Sequence, residues 1–292
     1  MRLNPPHSSS PSAYLYGSSR GFFWKQYERV VGILSTLATH RHLLVTMVKR
    51  DISARFAGSS LGGVWTLIHP AIMLSLYTMV FAYIYRVPKM EGGYGFTEFV
   101  FCGLWPWMAF QEACLRSVTA ITDNANLVKK IQFPSELLVI SITLSSFLTQ
   151  GIGFGLFLLA LLAWQGSVSI LSVALLVIPL ALHVVLAVGI GMILACGNVF
   201  FRDVGQLTNA GFTIWFFLTP IIYPSTLVPA VLQPVLYWNP VTPIIGLYRS
   251  LILSHTFAGE FRLLYCLVVA SLVLCCGVYL FHRCRGFFAD YL

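Results

Sequence analysis

The sequence predicts an all-α integral membrane protein with six transmembrane helices. Composition supports this fold class, because 58% of the 292 residues are hydrophobic, only 10% are charged and the mean hydropathy is +0.81. These values are typical of a membrane protein rather than of a water-soluble domain. The polar stretches between the apolar segments are short, so we expect one membrane domain and no second folded domain.

Apolar windows long enough to cross about 30 Å of hydrocarbon, roughly 20 residues each, define the predicted spans. They lie at about 64 to 86, 96 to 115, 135 to 163, 170 to 198, 207 to 224 and 261 to 282. An even number of spans places both termini on one side, and most lysines and arginines fall on that side. The positive-inside rule therefore predicts cytoplasmic termini. The net charge of +8 then reflects topology and anionic lipid, and argues against a nucleic acid partner.

Two segments outside the six spans are predicted from their Ser and Pro content: an N-terminal tail and a proline-rich stretch before the last span. Residues 1–40 are rich in Ser and Pro, which predicts a flexible cytoplasmic tail ahead of a transmembrane domain at 41–292. The tail lacks the features of a cleaved signal peptide. The apolar stretch 227–259 contains several prolines, each of which removes a backbone donor that lipid cannot replace. We therefore expect short re-entrant helices on the external face before the last span, rather than a seventh span.

Two segments on the cytoplasmic side are predicted to be helices that contact a surface. From 43 to 56 an apolar residue recurs every four positions, which predicts a basic amphipathic helix in the headgroup plane. The apolar positions are Leu44, Val48, Ile52 and Phe56, and the basic residues on the remaining surface are Arg41, Lys49, Arg50 and Arg55. The alternative is a plain surface anchor.

The segment 122–134 is the second of these. Thr122 or Asp123 provides an N-cap and Pro134 a stop. A helix this short is not stable alone, so we expect it to dock on a partner through an apolar side that carries Leu127, Val128 and Ile131. A simple connecting loop is the alternative.

Few charged side chains lie inside the predicted spans. Glu112 and Arg116 are four residues apart near the cytoplasmic end of the second span, which favours an intramembrane ion pair on one helix face. The alternative is a place on a transport route. His183 is alone on an apolar helix and is predicted to be a hydrogen-bonded packing residue.

Several chemistries are not expected from this sequence. No lysine is preceded by Gly and followed by Ser or Thr, so the chain has no phosphate-binding Walker loop. The cysteines form no metal-ligand spacing, and the carboxylates form no cluster at one membrane face, so no metal site or catalytic site is predicted. We expect a transport subunit that binds no cofactor and whose energy comes from another protein.

Five fragments, which together cover about residues 43 to 255, carry a resemblance to a known family. They are LVTMVKRDISARFAGSSLGGVWTLIHPAIMLSLYTMVF, FCGLWPWMAF, NANLVKKIQFPSEL, NVFFRDVGQLTNAGFTIWFFLTPIIYP and LYWNPVTPIIGLYRSLIL. In this order and spacing the chain resembles the permease subunits of type 2 ABC exporters that carry polysaccharides or polyol phosphates.

The resemblance implies a fold, partners and a location. It implies a homodimer of six-span subunits in the bacterial inner membrane, each bound to a cytoplasmic nucleotide-binding subunit that holds ATP and Mg. The substrate would be a lipid-linked glycan, with O-antigen the first candidate and capsule or teichoic acid the others. The helix at 43–56 would be the interface helix, and the proline-rich stretch the external gate. The coupling helix would contain Asp123, Asn126, Leu127, Val128, Lys129, Lys130 and Ile131.

Aromatic residues at helical spacing on the first and fifth spans predict the substrate channel. They are Tyr77, Phe81 and Tyr85 on the first span, and Phe212, Trp215, Phe216, Thr219 and Tyr223 on the fifth. Rings offer flat apolar surfaces to the C–H faces of sugars without demanding one sequence. Arg202 and Asp203, at the cytoplasmic start of the fifth span, are predicted to form the substrate entrance. A lipid-facing stripe with an interfacial entrance is the alternative.

Two other functions compete with glycan export. One is a type 2 ABC permease for drugs or lipids, and the other is a membrane-embedded glycosyltransferase. Copurification of a separate ATPase would favour either exporter over the enzyme.

Overall fold

The computed structural model of the chain describes residues 32, 35–84, 95–129, 133–165, 169–257 and 260–292, and their regular secondary structure is helical throughout. The predicted all-α class is therefore confirmed. The helices are α1 Arg41–Phe56, α2 Trp65–Tyr77, α3 Phe96–Ser117, α4 Ala125–Val128, α5 Glu136–Gln165, α6 Ile170–Leu175, α7 Val177–Phe200, α8 Val204–Phe217, α9 Gln233–Trp238, α10 Val241–Arg249, α11 Glu260–Cys284 and α12 Phe288–Tyr291. The predicted tail at 1–40 lies almost entirely outside the described residues.

Within the described residues, 4 helical segments are long and apolar enough to cross a membrane. They are Gly62–Val80, Glu136–Leu162, Leu171–Phe200 and Arg262–Phe287. Helix α3 has 22 residues but contains Glu98, Glu112 and Arg116. Helix α8 has only 14 residues, fewer than the roughly 20 that a span needs. The structure thus shows a multi-pass membrane protein, and the six-span count stays a prediction.

Glycines allow α7 and α11 to pack with their backbones close together. A Cβ added at Gly189 would lie 2.7 Å from the backbone nitrogen of Leu274, and a Cβ at Gly277 would collide with the carbonyl of Gly189. Small residues permit this approach between membrane helices, where packing replaces the hydrophobic effect as the main attraction. Gly153 on α5 similarly faces the ring of Trp105 on α3.

Two apolar clusters of buried residues hold the bundle together. The first runs along α3 and includes Trp107 and Phe110, together with Ile244 and Ile245 of α10. The second includes Ile121, Leu138, Met192, Phe281 and Phe288. Other large apolar side chains on α5 and α11, such as Leu159, Leu264 and Leu272, are more than 60% exposed, as expected for surfaces that contact lipid.

In the described residues 227–257, the chain forms the short helix α9 and then a second helical segment, Val241–Ser254, in which α10 continues as the π-helical turn Ser250–Ser254. It is not one continuous span. Pro234 is the second residue of α9 and Pro243 the third residue of α10, and in the first turn of a helix the missing N–H has no helical partner to lose. The predicted interruption of this apolar segment is therefore present. That it is an external gate stays a prediction.

Candidate transport path and coupling elements

The aromatic side chains of α8 pack into the interior of the protomer. Phe212 is only 4% exposed, and its ring centroid lies 5.6 Å from that of Phe110 and 6.0 Å from that of Trp107. Trp215 makes edge contacts with the same two rings, at 5.5 and 6.0 Å. The rings of α8 thus anchor this helix against α3.

Hydrogen bonds fix the outer end of α8 to the segment before α10. The side chain of Thr219 is fully buried, donates to the carbonyl of Trp215 at 2.8 Å and accepts from Asn239 Nδ2 at 2.8 Å. Asn239 Oδ1 also accepts from the indole of Trp215 at 3.0 Å. Phe212 and Thr219 are both enclosed within the protomer in this structure, and their assignment to a channel stays a prediction.

Tyr77 of the first predicted span contacts α8. The rings of Tyr77 and Phe216 stack at 6.2 Å with an interplanar angle of 28°. Phe216 and Tyr223 are partly buried, and Tyr223 donates to the carbonyl of Phe217 at 2.5 Å. The side chain of Phe81 and all of Tyr85 lie outside the described residues, so their channel assignment stays a prediction.

The exposed surface of α8 has a polar flank and an apolar flank. The polar flank carries Gln206, Asn209 and Thr213, which follow one another at helical spacing. The apolar flank carries Leu207 and Ile214, which are 70% and 62% exposed. Sequence reasoning emphasised the rings of this helix and missed the polar flank, although the i, i+3, i+7 spacing of these residues was a readable signal.

Arg202 and Asp203 are both exposed immediately before α8. The carbonyl of Asp203 accepts from the backbone N–H of Leu207 at 3.0 Å, so this residue starts the helix through its backbone. Their accessible position is compatible with the predicted substrate entrance, which stays a prediction.

The predicted ion pair between Glu112 and Arg116 is replaced by contacts with α1. Glu112 pairs with Arg55, while Arg116 Nη2 lies 2.7 Å from Asp51 Oδ1. Helix α1 crosses beside α3. Arg55 and Asp51 of α1 therefore pair with Glu112 and Arg116 of α3. The assignment of Arg55 to the outer surface of α1 is wrong for the same reason, whereas Arg41, Lys49 and Arg50 are exposed as predicted.

Polar residues of α5 complete this ionic network. Arg55 Nη2 donates to Ser146 Oγ at 2.7 Å, Gln150 Nε2 donates to Glu112 Oε2 at 2.6 Å, and Ser145 donates to Asp51. Burial acts to raise the pKa of the Asp51 carboxyl, but hydrogen bonds from Arg116 and Ser145 more than offset it and hold that pKa below its ordinary value. Asp51 is thus a carboxylate at neutral pH.

The network makes α1 part of the bundle rather than a plain surface anchor. Val48 of α1 is 8% exposed, and Leu44 and Met47 pack against the second apolar cluster. The four-residue apolar repeat marks this face, but the face packs on the bundle, whereas a helix in the headgroup plane was expected. The sequence analysis did not predict that Asp51 and Arg55 also point toward the bundle, although their i, i+4 spacing was a signal for it.

The predicted coupling segment is a shorter helix than expected. Residues 118–124 form turns and only Ala125–Val128 is α-helical, with Asn124 rather than Thr122 or Asp123 before it. Leu127 and Val128 are partly buried against the second apolar cluster of their own chain. The exposed positions are Asp123, Asn126 and Lys129, and Lys130 and Ile131 lie outside the described residues.

A second polar contact ties the end of α11 to the start of α5, beside this segment. Glu136 is 5% exposed, and Arg285 Nη1 lies 3.0 Å from its Oε1. Arg285 Nη2 also donates to the carbonyl of Phe133 at 2.9 Å. This contact was not predicted, because the two residues are far apart in sequence and form no local motif.

Arg249 joins three elements at the opposite end of the bundle. Its guanidinium donates to the carbonyls of Phe99, Pro220 and Ile221 at 3.2, 2.7 and 2.5 Å. It also lies 3.5 Å above the ring centroid of Phe99. A Cβ on the neighbouring Gly103 would approach Arg249 Nη2 to 2.7 Å, so glycine leaves the space that the guanidinium occupies.

His183 of α7 is fully buried and stacks on Phe110 with a centroid distance of 4.8 Å. Neither ring nitrogen has a hydrogen-bond partner among the described residues. The packing role predicted for His183 is therefore present, but the predicted hydrogen bond is not.

Comparisons with known proteins agree on one family and one kind of relative. A family model for ABC-2 type transporters matches residues 42–253. The O-antigen export system permease protein RfbA of Myxococcus xanthus is 26% identical over 265 residues, covering 89% of this chain and 99% of the relative. RfbA of Klebsiella pneumoniae is 26% identical over 263 residues, covering 86% and 95%. The polysialic acid transport protein KpsM of Escherichia coli is 24% identical over 235 residues, covering 80% and 89%.

Proposed function

The chain belongs to the ABC-2 type transporter family, and on this premise we propose that it is the permease subunit of an ATP-driven exporter of a polysaccharide. One observation carries the proposal: relatives named as O-antigen and polysialic acid export permeases align along 80 to 89% of this chain. A lipid-linked O-antigen is the first candidate for the substrate, and a capsule polymer or teichoic acid follows.

The proposed assembly contains two copies of this chain and two copies of a separate cytoplasmic ATPase, which holds ATP and Mg. Each copy contributes six spans, with both termini in the cytoplasm of a bacterium and the chain in its inner membrane. The excess of basic residues at the end of the bundle that contains α1, α4 and α12 supports this orientation. We call this the basic end.

The polar flank of α8 is the surface that best fits the polymer path. Asn209 and Thr213 are exposed on a helix that otherwise carries apolar groups, and hydrocarbon is a poor solvent for an unpaired amide. Uncharged amides and hydroxyls match the hydroxyl groups of a glycan. The buried rings of α8 support this flank from behind, and Phe217, which is 58% exposed, adds an apolar contact at its outer end.

Coupling to the ATPase is assigned to the exposed side of the 122–129 segment. Asp123, Asn126 and Lys129 point away from the protomer, while Leu127 and Val128 attach the segment to it. Motion of the ATPase would then reach the spans through two rigid contacts, the Arg285–Glu136 pair and the ionic network of α1.

Genetic complementation and copurification test the proposed function. A strain that lacks the chain should lose its surface polysaccharide on glycan-stained gels, and expression of the wild-type chain should restore it. Affinity purification of the chain should also recover a separate ATPase. Restored resistance to a drug without any change in surface glycan would favour a different cargo, and glycosyl transfer by the chain alone would contradict the transport assignment.

Cysteine labelling tests the six-span topology. In a variant in which alanine replaces every cysteine, a cysteine at the exposed Gln233 should react with an impermeant thiol reagent added outside the inner membrane. A cysteine at the exposed Arg283 should react only after the membrane is opened. The reverse pattern would overturn the orientation.

A further inference from the structure

Two cysteines from different helices meet near the ends of α7 and α11. Cys196 of α7 is 4% exposed, and Cys284, the last residue of α11, is partly exposed. The two thiols are hydrogen-bonded to each other. Cys196 belongs to the second apolar cluster, and Cys284 packs against that cluster. Neither thiol has a part in the transport path or in the coupling contacts described above.

The packing of α7 on α11 explains why these thiols meet. In both helices the earlier buried residues belong to the first apolar cluster and the later ones to the second, so the two helices run in the same direction. Their backbones approach each other closely at Gly189 and Gly277. Cys196 and Cys284 each follow one of these glycines by seven residues, which is close to two helical turns. The contact face that contains the glycines therefore also contains the cysteines.

The number of ligands at this place restricts its chemistry. Zinc held by cysteines ordinarily takes four protein ligands. Among the residues that the structure describes, no three Cys, His, Asp or Glu side chains are grouped so that they could hold a metal ion. Two neighbouring thiols are sufficient for the formation of a disulfide. The partly exposed Cys284 can meet a small oxidant, and the buried Cys196 is then in place to react with the oxidised sulfur.

We propose that Cys196 and Cys284 form a modification site that hydroperoxides convert to an intramolecular disulfide. With hydrogen peroxide, the Cys284 sulfur attacks one oxygen, the O–O bond breaks, and a sulfenic acid and one water form. The Cys196 sulfur then attacks the Cys284 sulfur. The S–S bond forms, the S–O bond breaks, and the hydroxyl group leaves with the Cys196 proton as a second water. The two thiols lose two electrons to the peroxide, and a dithiol reductant reverses the change by thiol–disulfide exchange.

The position of the site suggests what the disulfide does. The site lies at the basic end of the bundle, which the proposed orientation places in the cytoplasm, where cellular reductants make disulfides transient. The bond would tie the end of α11 to α7. Arg285 directly follows Cys284 and pairs with Glu136, a contact assigned above to the transmission of ATPase motion. We therefore expect oxidation to slow export, and this consequence rests on the proposed function.

Thiol counting on the purified full-length chain tests the site. After treatment with hydrogen peroxide, the denatured wild-type chain should bind two fewer maleimides than its reduced form, and its unlabelled mass should fall by two hydrogens. Dithiothreitol should restore both thiols. Cys284→Ser should not lose the two hydrogens. The matched control is Cys276→Ser, which removes an exposed thiol from the same helix and should lose them as wild type does.

Variants that retain only two cysteines locate the bond. A chain that retains Cys196 and Cys284, with alanine at the other cysteines, should form the disulfide and migrate as a monomer on a nonreducing gel. A chain that retains Cys276 and Cys284 should not, because their Cα atoms are about 12 Å apart along one helix, beyond the reach of a disulfide. Equal thiol counts before and after oxidation of the wild-type chain would overturn the proposal. A disulfide that forms only between two chains would do the same.

Export measurements separate the site from the proposed function. In cells exposed to peroxide, export of surface glycan by the wild-type chain should slow and should recover after reduction, whereas export by Cys284→Ser should keep its rate. Equal export by the two chains while the wild-type disulfide is complete would reject the regulatory consequence. Failure of the reduced wild-type chain to export any glycan would reject the proposed function and leave the thiol counts unchanged.

Discussion

Arg116 and Asp51 form a two-point ion pair between the second predicted span and the surface helix α1. Arg116 Nη1 lies 2.9 Å from Asp51 Oδ2, and Nη2 lies 2.7 Å from Oδ1. Two parallel hydrogen bonds fix the relative orientation of the two groups as well as their distance. Any movement of α1 is therefore transmitted directly to α3, which makes this contact the natural place to test coupling.

Loss of the Arg116 side chain should loosen α1 from the bundle. Arg116→Met leaves Asp51 partly buried with fewer donors, so we expect a destabilisation of about 1–3 kcal/mol and a lower thermal midpoint. Arg50→Met, which removes an exposed guanidinium from the same helix, is the control and should stay within about 0.5 kcal/mol of wild type. Equal thermal midpoints for the two variants would show that the ion pair contributes nothing to the stability of the bundle.

The attachment of α1 should also weaken in acid. In the folded protein the pKa of Asp51 lies below its ordinary value of 3.8. The Asp51 carboxylate therefore stabilises the folded state fully at pH values above 3.8. This stabilisation is lost as the pH falls through the lower pKa of the folded state. Pepsin, which is active in acid, should then cleave α1 faster as the pH decreases. Asp51→Asn should give faster cleavage at every pH, with a weaker pH dependence. A wild-type cleavage rate that does not change across this window would contradict the expectation.

Truncation of Phe212 should destabilise the protomer rather than open a channel. Its ring is buried against Trp107 and Phe110, so Phe212→Ala should cost about 3–5 kcal/mol through lost packing and an unfilled cavity. Phe217→Ala, at a 58% exposed position on the same helix, should have little effect on the thermal midpoint. Normal stability of Phe212→Ala combined with leakage of small solutes would instead support the channel assignment of this ring.

The two flanks of α8 should differ in their access to water. A cysteine at Asn209, in a variant without other cysteines, should react with a charged thiol reagent, and the reaction should slow while polymer is being exported. A cysteine at Leu207, about 160° around the helix, should react poorly because that flank contacts lipid or protein. Similar reaction rates at both positions would remove the support for a polar path along α8.

The exposed residues of the 122–129 segment should matter for the ATPase more than the buried ones do. Asn126→Arg should reduce copurification of the ATPase or uncouple its hydrolysis from export, while the thermal midpoint of the chain stays unchanged. Leu127→Asp should lower that midpoint, because Leu127 packs against the second apolar cluster. Normal export and ATPase recovery in Asn126→Arg would move the coupling contact to another surface.

Local features of the chain were predictable because their causes are local. The apolar windows, the inward repeat of Leu44 and Val48, and the proline interruptions before α10 follow from hydropathy, helical periodicity and the missing N–H of proline. Sequence spacing also suggested that Glu112 and Arg116 would pair, since both lie on one face of α3. That reasoning considered only partners on the same helix.

The tertiary structure decided which partners the charged and aromatic groups have. Asp51 and Arg55 lie more than 50 residues before Glu112 and Arg116, and only the crossing of α1 beside α3 makes them closer partners than the neighbouring turn. The same holds for α8, where periodicity showed that Phe212 and Trp215 share a face but could not tell which way that face points. The rings turned inward because α3 presents Trp107 and Phe110 to them, and this left Asn209 and Thr213 on the open side. A one-dimensional pattern gives the angle between side chains on one helix, whereas the direction of that helix face is set by the neighbours against which it packs.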